Sequence, residues 1–506
     1  MHNRVFLIEK AKKMALPTIV LLALILRVPG LSGSFWLDEA AQALESVRPL
    51  GQQLEIVADF QPPLLHLIVH FASQFSTSEW WLRAVGALIP GLITIIYSYK
   101  IAEKVFNQKT ALISSLFLIT SSFHIFYSQE LRPYSLSAVW ALVSWYYLLL
   151  NTDKQPNNWK NWLVYSLTTV LGLYSSYLYP FLLFGQLFFV IFRNKVSRHF
   201  LISLLVSAIC FVFWLPMFLR QLEAGQLLRT SMPGWSEVVS TPQLKALALL
   251  IGKLYFGVID LELNWQFILI SLFLLVSVAH LILLNLKNKS LRGTALQSGL
   301  FILSWLIAPT ISAWLVSFIV PVVQPKRLIF IQPALYMYLA YLITSVCQTK
   351  VKFGQLWKLA GFSLLTITLT INIISSFLLF TNPKYQRENW RQLQQEINRR
   401  FKPENTIIVN AFTEPFSPWA WYDKQNFPTF STKTYYYQVN AQTVQELKQI
   451  YNYDYVLLFD YLTDLTDPDN RLQQEIEAFG YQGVGVIDYP HIGFVRIYVK
   501  RGESTS

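Results

Sequence analysis

Two adjacent carboxylates, Asp38 and Glu39, stand in the run Ser34-Phe35-Trp36-Leu37-Asp38-Glu39-Ala40, just past the first hydrophobic segment. A carboxylate beside hydrocarbon costs free energy unless it is solvated, paired or used. An acid pair among aromatics at a membrane–water boundary therefore points to chemistry at the membrane surface. Three other polar runs join it: Asp59 ahead of Pro62-Pro63, Tyr127-Ser128-Gln129-Glu130-Leu131-Arg132-Pro133-Tyr134, and Pro321-Val322-Val323-Gln324-Pro325-Lys326-Arg327-Leu328. A carboxylate can take the proton from an acceptor hydroxyl. Arg and Lys can hold a phosphate leaving group and stabilise its growing charge. Carboxylates and cations on one side of a membrane are what transfer from a lipid phosphate requires.

The elements that must position these residues are membrane spans. Of 506 residues, 53% are hydrophobic and only 14% charged, a polytopic membrane composition rather than that of a soluble enzyme. Residues 1–380 hold 14 acids and 28 bases, whereas 381–506 hold 15 acids and 13 bases. No basic block of nucleic-acid type occurs, so the positive charge does not argue for a DNA or RNA partner and no nucleic acid is expected; it reflects basic loops between spans. Cys210 and Cys347 lie in apolar segments and read as small core residues. The basic N-terminus followed by an apolar run has no small-residue cleavage site after it and reads as a retained first span. Segments of roughly 20 apolar residues predict spans near 15–31, 83–103, 110–127, 133–150, 161–177, 179–192, 200–219, 265–285, 297–319, 328–346 and 357–380, about eleven and at most thirteen.

The loops alternate in charge. The N-terminal bases, Lys104 and Lys109, Lys154 and Lys160, Arg193, Lys195 and Arg198, Lys287, Lys289 and Arg292, and Lys350, Lys352 and Lys358 share one side. The positive-inside rule makes that side, with the N-terminus, cytoplasmic. Residues 32–82, 128–132, the Tyr177–Leu178 corner, 220–264, 320–327 and everything after 380 are then extracytoplasmic. Gln61–Phe71 is apolar but too short to span and predicts an interfacial helix with Pro at its first turn; Leu244–Phe256 is similar, and both would help roof an outer cavity. From Asn382 helical patterns (Glu388–Arg400, Thr443–Ile450, Asn470–Phe479) alternate with strand-like runs (Thr406–Asn410, Tyr455–Phe459, Gly493–Val499). The predicted fold is thus a polytopic α-helical membrane domain, 1–380, followed by a soluble extracytoplasmic α/β domain, 381–506. No GxGxxG, P-loop or HExxH motif is present.

Asp38–Glu39 after a first span, Pro62-Pro63-Leu64, Leu82-Arg83-Ala84 and Tyr127-Ser-Gln-Glu-x-Arg-Pro-Tyr134 together resemble the GT-C superfamily of integral-membrane glycosyltransferases. In particular they are similar to the bacterial proteins related to protein O-mannosyltransferases and the lipid A aminoarabinose transferase. The resemblance is clear over 15–150, looser to 380 and weak in the tail. It implies inverting transfer of a sugar from a polyprenyl-phosphate donor at the outer face of the cell membrane, to a protein, lipid or glycan acceptor that the residues do not specify. Asp38 matches the family's first-loop catalytic aspartate, the base. Glu39 matches its acidic neighbour, and Glu130 the second acidic position. Arg132, Lys326 and Arg327 would face the lipid phosphate. Gln61 departs from the His or Lys that family members often carry before the double proline. Some relatives bind a divalent metal and others need none, so a metal stays open and no cofactor is certain. His66, His70 and His124 are not spaced as a recognisable ligand set.

Plainer roles stand beside each of these. Asp38–Glu39 could cap a helix, Glu130 and Arg132 could pair with each other, and Lys326 and Arg327 could snorkel from a span end. His66 and His70, four apart, could be packing histidines. Arg83 reads as an anchor at the start of the second span. A transporter or lipid flippase is the alternative function, but it calls for ionisable groups or broken helices near the midplane, whereas the acids cluster at one surface and the spans read as uninterrupted. A receptor or scaffold would use the tail aromatics, Trp419-Ala420-Trp421-Tyr422 and Tyr435-Tyr436-Tyr437.

Overall fold

The structure, a computed structural model, describes residues 2–152, 158–231, 244–259, 265–287, 292–320, 322–347, 354–412, 417–431 and 438–501. Lys154, Lys289, Pro321, Lys350, Lys352 and Tyr435–Tyr437 lie outside the described residues.

A helix stands in each of the eleven segments expected to span. Among the described residues, four are long and apolar enough to cross a bilayer: Glu79–Val105, Leu296–Val316, Pro325–Val346 and Lys358–Thr381. A fifth results if Arg198–Val212 and Leu215–Leu228, bent by 63°, form one span. That bend corrects the expectation of uninterrupted spans. Pro216 has no N–H to offer and its ring excludes the carbonyl four residues back, so the ladder breaks at Phe213–Trp214. Milder breaks have the same cause. π-helical turns at Ala84–Leu88 and Leu303–Ile307 lie just ahead of Pro90 and Pro309, where the normal hydrogen bond is lost. Helix Tyr179–Phe192 crosses the second of these turns so closely that a Cβ on Gly185 would sit 2.0 Å from the Ser304 carbonyl oxygen. The membrane part packs around aromatics: Trp145 stacks on Trp305 with ring centres 5.4 Å apart, and Phe301 and Phe189 meet Trp145 edge-on.

The loop 32–82 is folded. Helix Leu37–Ser46 carries the acid pair in its first turn. Helix Leu64–Ser73 follows the double proline, as expected for the interfacial segment, with the Leu64 N–H donating to Tyr174 O at 3.0 Å. The second expected outer helix, Leu244–Phe256, also forms.

After the last long helix the chain makes a five-stranded mixed sheet: β1 (Thr406–Asn410), β2 (Thr429–Phe430), β3 (Tyr455–Phe459), β4 (Tyr481–Tyr489) and β5 (Gly493–Lys500), in the order β2-β1-β3-β5-β4. β1 pairs parallel with β2 and β3, while β5 runs antiparallel to β3 and β4. Side chains alternate across the sheet with period two. Ile408, Leu457 and Phe459 face helix Trp390–Arg400 and Trp419. Ile407, Val409, Val456 and Leu458 face Leu447, Ile450, Leu472 and Ile476 on the other side. β4 escaped the sequence reading because its central residues are exposed and include Gly483 and Gly485, which leaves no apolar alternation to see.

This α/β unit sits on the loop 32–82. The Phe35 N–H donates to Tyr422 Oη at 2.6 Å, and Tyr422 Oη donates to Glu79 at 3.1 Å. Arg391 donates to Ser32 O and pairs with Glu79. Phe35 packs against Trp421, ring centres 5.6 Å apart.

Candidate active site

Asp38 lies in the first turn of its helix, where the helix dipole favours negative charge. Its side chain keeps 32% of its surface exposed, and its Oδ2 lies 3.7 Å from Lys326 Nζ. Lys326 arrives from the turn before helix Gln332–Cys347, nearly 290 residues away in sequence, and its ammonium also sits over the rings of Trp36 (5.7 Å) and Tyr134 (5.5 Å). The sequence-expected base and one expected phosphate ligand are therefore neighbours.

Glu39 is fully buried and heavily engaged. Arg83 donates from Nε to Oε1 (2.8 Å) and from Nη2 to Oε2 (2.5 Å), the Leu131 N–H donates to Oε1 (2.7 Å), and Arg387 Nη1 donates to the same oxygen (2.7 Å). Burial alone would raise its pKa, but Arg387 and Arg83 with the Leu131 N–H outweigh it and hold the carboxyl below its ordinary range. Arg83 also donates to the carbonyls of Leu31, Gly33 and Ser34, so it clamps the chain leading into the acid pair rather than simply anchoring a span.

Glu130 lies 1% exposed on the turn ahead of helix Tyr134–Thr152, and neither carboxylate oxygen has a hydrogen-bond partner. Burial pushes its pKa up to about 7, against the pull of Lys326 and Arg387. The plain alternative, a Glu130–Arg132 ion pair, does not form. Arg132 instead holds Asp59 with both terminal nitrogens (3.0 and 3.2 Å) and donates to the Asp38 carbonyl at 3.3 Å. The Asp59 carboxylate thus engages both terminal nitrogens of the guanidinium, while its buried Nε has no hydrogen-bond partner. Arg327 is half-buried beside Lys326.

Between these residues and the α/β unit lies a cavity of about 640 Å³. Trp36, Tyr127, Glu130 and Lys326 wall one side, Phe123, Leu249 and Val258 give it an apolar flank, and Lys384 to Glu388 close it from the tail side. Arg132 and Arg327 do not line it. Burial pushes the Glu388 carboxyl up to about 7, despite hydrogen bonds from Trp390 and Tyr461. Arg387 and Lys384 were missed in the sequence. They sit in an ordinary polar stretch some 350 residues from Asp38, and no local pattern marks them.

For a divalent metal, Glu45, Asp59 and His66 are the one group found among the described residues, with donor atoms within 4.8 Å of one another. They do not fit a catalytic ion. Both Asp59 oxygens are taken by Arg132, His66 Nε2 faces Asp59 Oδ2 at 3.2 Å, and Arg48 lies 3.8 Å from Glu45. A cation would enter beside two guanidiniums, and neither Asp38 nor Glu130 belongs to the group. The residues form an ion-pair network. Burial raises Asp59's pKa in principle, but Arg132 and His66 hold it well below the carboxylate range, while burial and that charge push Glu45 up. His70 bonds Ser46 O, and His124 lies against Arg27.

Residues 60–219 match the family described as dolichyl-phosphate-mannose-protein mannosyltransferase. Among curated proteins, none matches this chain. The fold is similar to ArnT from Cupriavidus metallidurans in the apo state (TM-score 0.55, 11% identity, covering 96% of this chain and 98% of that one). It is equally similar to ArnT bound to undecaprenyl phosphate (0.55, 10%, 96% and 98%). The archaeal oligosaccharyltransferase AglB from Archaeoglobus fulgidus, in complex with an inhibitory peptide and a dolichol-phosphate, has a TM-score of 0.54 at 13% identity over 96% of this chain and 74% of that one. This protein therefore shares over nearly its whole length the fold of ArnT and AglB, and this fold, with the family match over 60–219, supports the resemblance to GT-C membrane glycosyltransferases read from its loop residues.

Proposed function

We propose that this protein is a membrane glycosyltransferase that moves a sugar from a polyprenyl-phosphate donor to an acceptor hydroxyl, with inversion at the anomeric carbon. The observation that carries the reading is a water-accessible carboxylate, Asp38, 3.7 Å from a cation, Lys326, that lines an open cavity with an apolar flank. Asp38 takes the proton as the acceptor O–H breaks. The acceptor oxygen bonds to the anomeric carbon, and the carbon–oxygen bond to phosphate breaks with its electron pair going to the phosphate. Lys326 stabilises that charge where it develops, and Glu130 accepts hydrogen bonds from hydroxyl groups of the sugar. Glu39 positions the site by joining Arg83, Leu131 and Arg387. The apolar flank at Phe123, Leu249 and Val258 suits the first prenyl units. In this reading residues 1–380 are the catalytic membrane domain with about eleven spans and a cytoplasmic N-terminus, in the cell membrane. Residues 381–506 are an extracytoplasmic domain. The likeness to ArnT, solved with undecaprenyl phosphate, and to AglB, solved with dolichol-phosphate, supports the donor class.

The test is incorporation of radiolabelled sugar from a panel of polyprenyl-phosphate sugars by membranes carrying wild type or Asp38→Asn. Transfer by wild type that falls about 10²- to 10⁴-fold in a normally folded variant is expected for loss of a general base. Turnover by D38N at the wild-type rate would overturn the base assignment.

A further inference from the structure

The polar groups that line the cavity are unequally satisfied. Lys326 is paired with Asp38. Glu388 is bonded by Trp390 and Tyr461. Two lining groups are not satisfied: Glu130 has two unpaired acceptor oxygens, which suit hydroxyl donors rather than an anion, and Arg387 has an unpaired donor, its Nη1 fixed on Glu39 at 2.7 Å and its guanidinium over the Phe126 ring at 5.1 Å, yet its Nη2 buried with no hydrogen-bond partner. A buried, orphaned N–H on a charged group is costly and is rare in a finished structure. Here it sits on a residue that lines the cavity beside Lys326, opposite an apolar flank. Glu39 already neutralises Arg83, so the Glu39–Arg83–Arg387 group keeps a surplus positive charge. A planar guanidinium held by one edge, with its other edge buried and unused, is suited to an anionic oxygen.

We propose that Arg387, on the segment joining the last span to the α/β domain, binds the phosphate of the lipid donor together with Lys326, and that Glu39 is the positioning residue that aims it. This rests on the lipid-phosphate reading above and deepens it. The tail domain then contributes a residue to the site itself, one that lines the cavity where Arg132 does not. Arg83 fixes Glu39 from below, Glu39 fixes one edge of Arg387, and the other edge receives a phosphate oxygen.

The experiment measures binding of undecaprenyl phosphate and of undecaprenol to the purified full chain in lipid nanodiscs. Wild type is compared with Arg387→Gln, Arg387→Lys and Arg391→Gln. Arg391 pairs with Glu79 at the same domain seam but does not line the cavity, so its variant reports loosened docking alone. Expected is binding of the phosphate by wild type, about 10- to 100-fold weaker in R387Q, as for loss of a charged hydrogen bond. R387K should fall between them, R391Q should bind near wild type, and undecaprenol should show no dependence on residue 387. Equal affinity of R387Q and wild type would overturn the proposal while leaving the donor reading standing, as would a loss in R391Q as large as in R387Q. A wild type that does not bind undecaprenyl phosphate at all would overturn both.

Discussion

Replacing Glu130 with Gln should make the protein more stable at alkaline pH and should remove a specific pH dependence. Glu130 is buried, both its oxygens lack partners, and burial raises its pKa from 4.5 to about 7. A carboxyl whose folded pKa is raised holds its proton more tightly folded than unfolded. Below pH 4.5 both states are protonated and the group is neutral to stability. As pH rises from 4.5 to 7 the unfolded chain ionises first, and the folded state loses ground throughout that window. At ~1.36 kcal/mol per pH unit, the full penalty above pH 7 is about 3 kcal/mol. Gln keeps the shape and cannot ionise. Thermal unfolding of wild type and E130Q in the same detergent, from pH 5 to 8.5, should show the two curves converging at the acid end. The variant should gain on wild type up to about pH 7 and hold a constant lead above it. Glu388, also raised to about 7, is present in both chains and cancels in the difference. A difference that stays flat across the range would refute the claim that Glu130 sits unpaired in a low-dielectric pocket.

Three further outcomes follow from the same geometry. Arg83→Met removes charged donors from three backbone carbonyls and one partner of buried Glu39, which should cost about 3–5 kcal/mol locally; hydrogen exchange of amides 31–46 should speed up, and unchanged protection would contradict the clamp. Asp59→Asn leaves the Arg132 fork with no carboxylate and should lower the unfolding midpoint by an amount equivalent to about 3–5 kcal/mol, with an unaltered midpoint counting against the ion-pair network. Trp419→Ala empties a fully buried site between the tail helix and Phe459 and should destabilise the α/β domain by about 3–5 kcal/mol; limited proteolysis confined to 381–506 reports it, and a tail as resistant as wild type would show that Trp419 is not core.

The sequence carried the parts of this molecule that repeat. Apolar runs located a helix in each of eleven segments, and two strands, Thr406–Asn410 and Tyr455–Phe459, were read to the residue because each is a short apolar run bounded by polar turns. The break at Phe213–Trp214 was visible only as Pro216, which marks a helix start as readily as a kink. Asp38 stood out because an exposed acid is rare among apolar segments. Its meeting with Lys326 depended on which loops share a side, and charge alternation was enough to put both on the same one. What could not be read was partnership. Arg132 lies two residues from Glu130 and faces away to Asp59, while Arg387 reaches Glu39 across 348 positions. Those choices are made by packing, and nothing local in Tyr385-Gln386-Arg387-Glu388 distinguishes a site residue from a solvated linker.

The charge pattern of the cavity implies one more behaviour. Arg387, Lys326 and Lys384 meet two carboxyls, Glu130 and Glu388, whose pKa values burial raises to about 7. Near neutrality these acids are partly ionised, and an incoming phosphate would lie beside them while also screening the cations that now pull Glu130 down. Bound phosphate must therefore raise the Glu130 pKa further, and by linkage a proton taken up on Glu130 must tighten phosphate binding. A further rise of one unit corresponds to about tenfold in affinity. Undecaprenyl phosphate should accordingly bind wild type more tightly as pH falls from 8 to 6, relative to E130Q. Comparing the two chains removes the titration of the phosphate itself, which both experience equally. If the ratio of their affinities does not change with pH, Glu130 and the phosphate do not share the cavity, and the placement of the donor between Glu130, Lys326 and Arg387 is wrong.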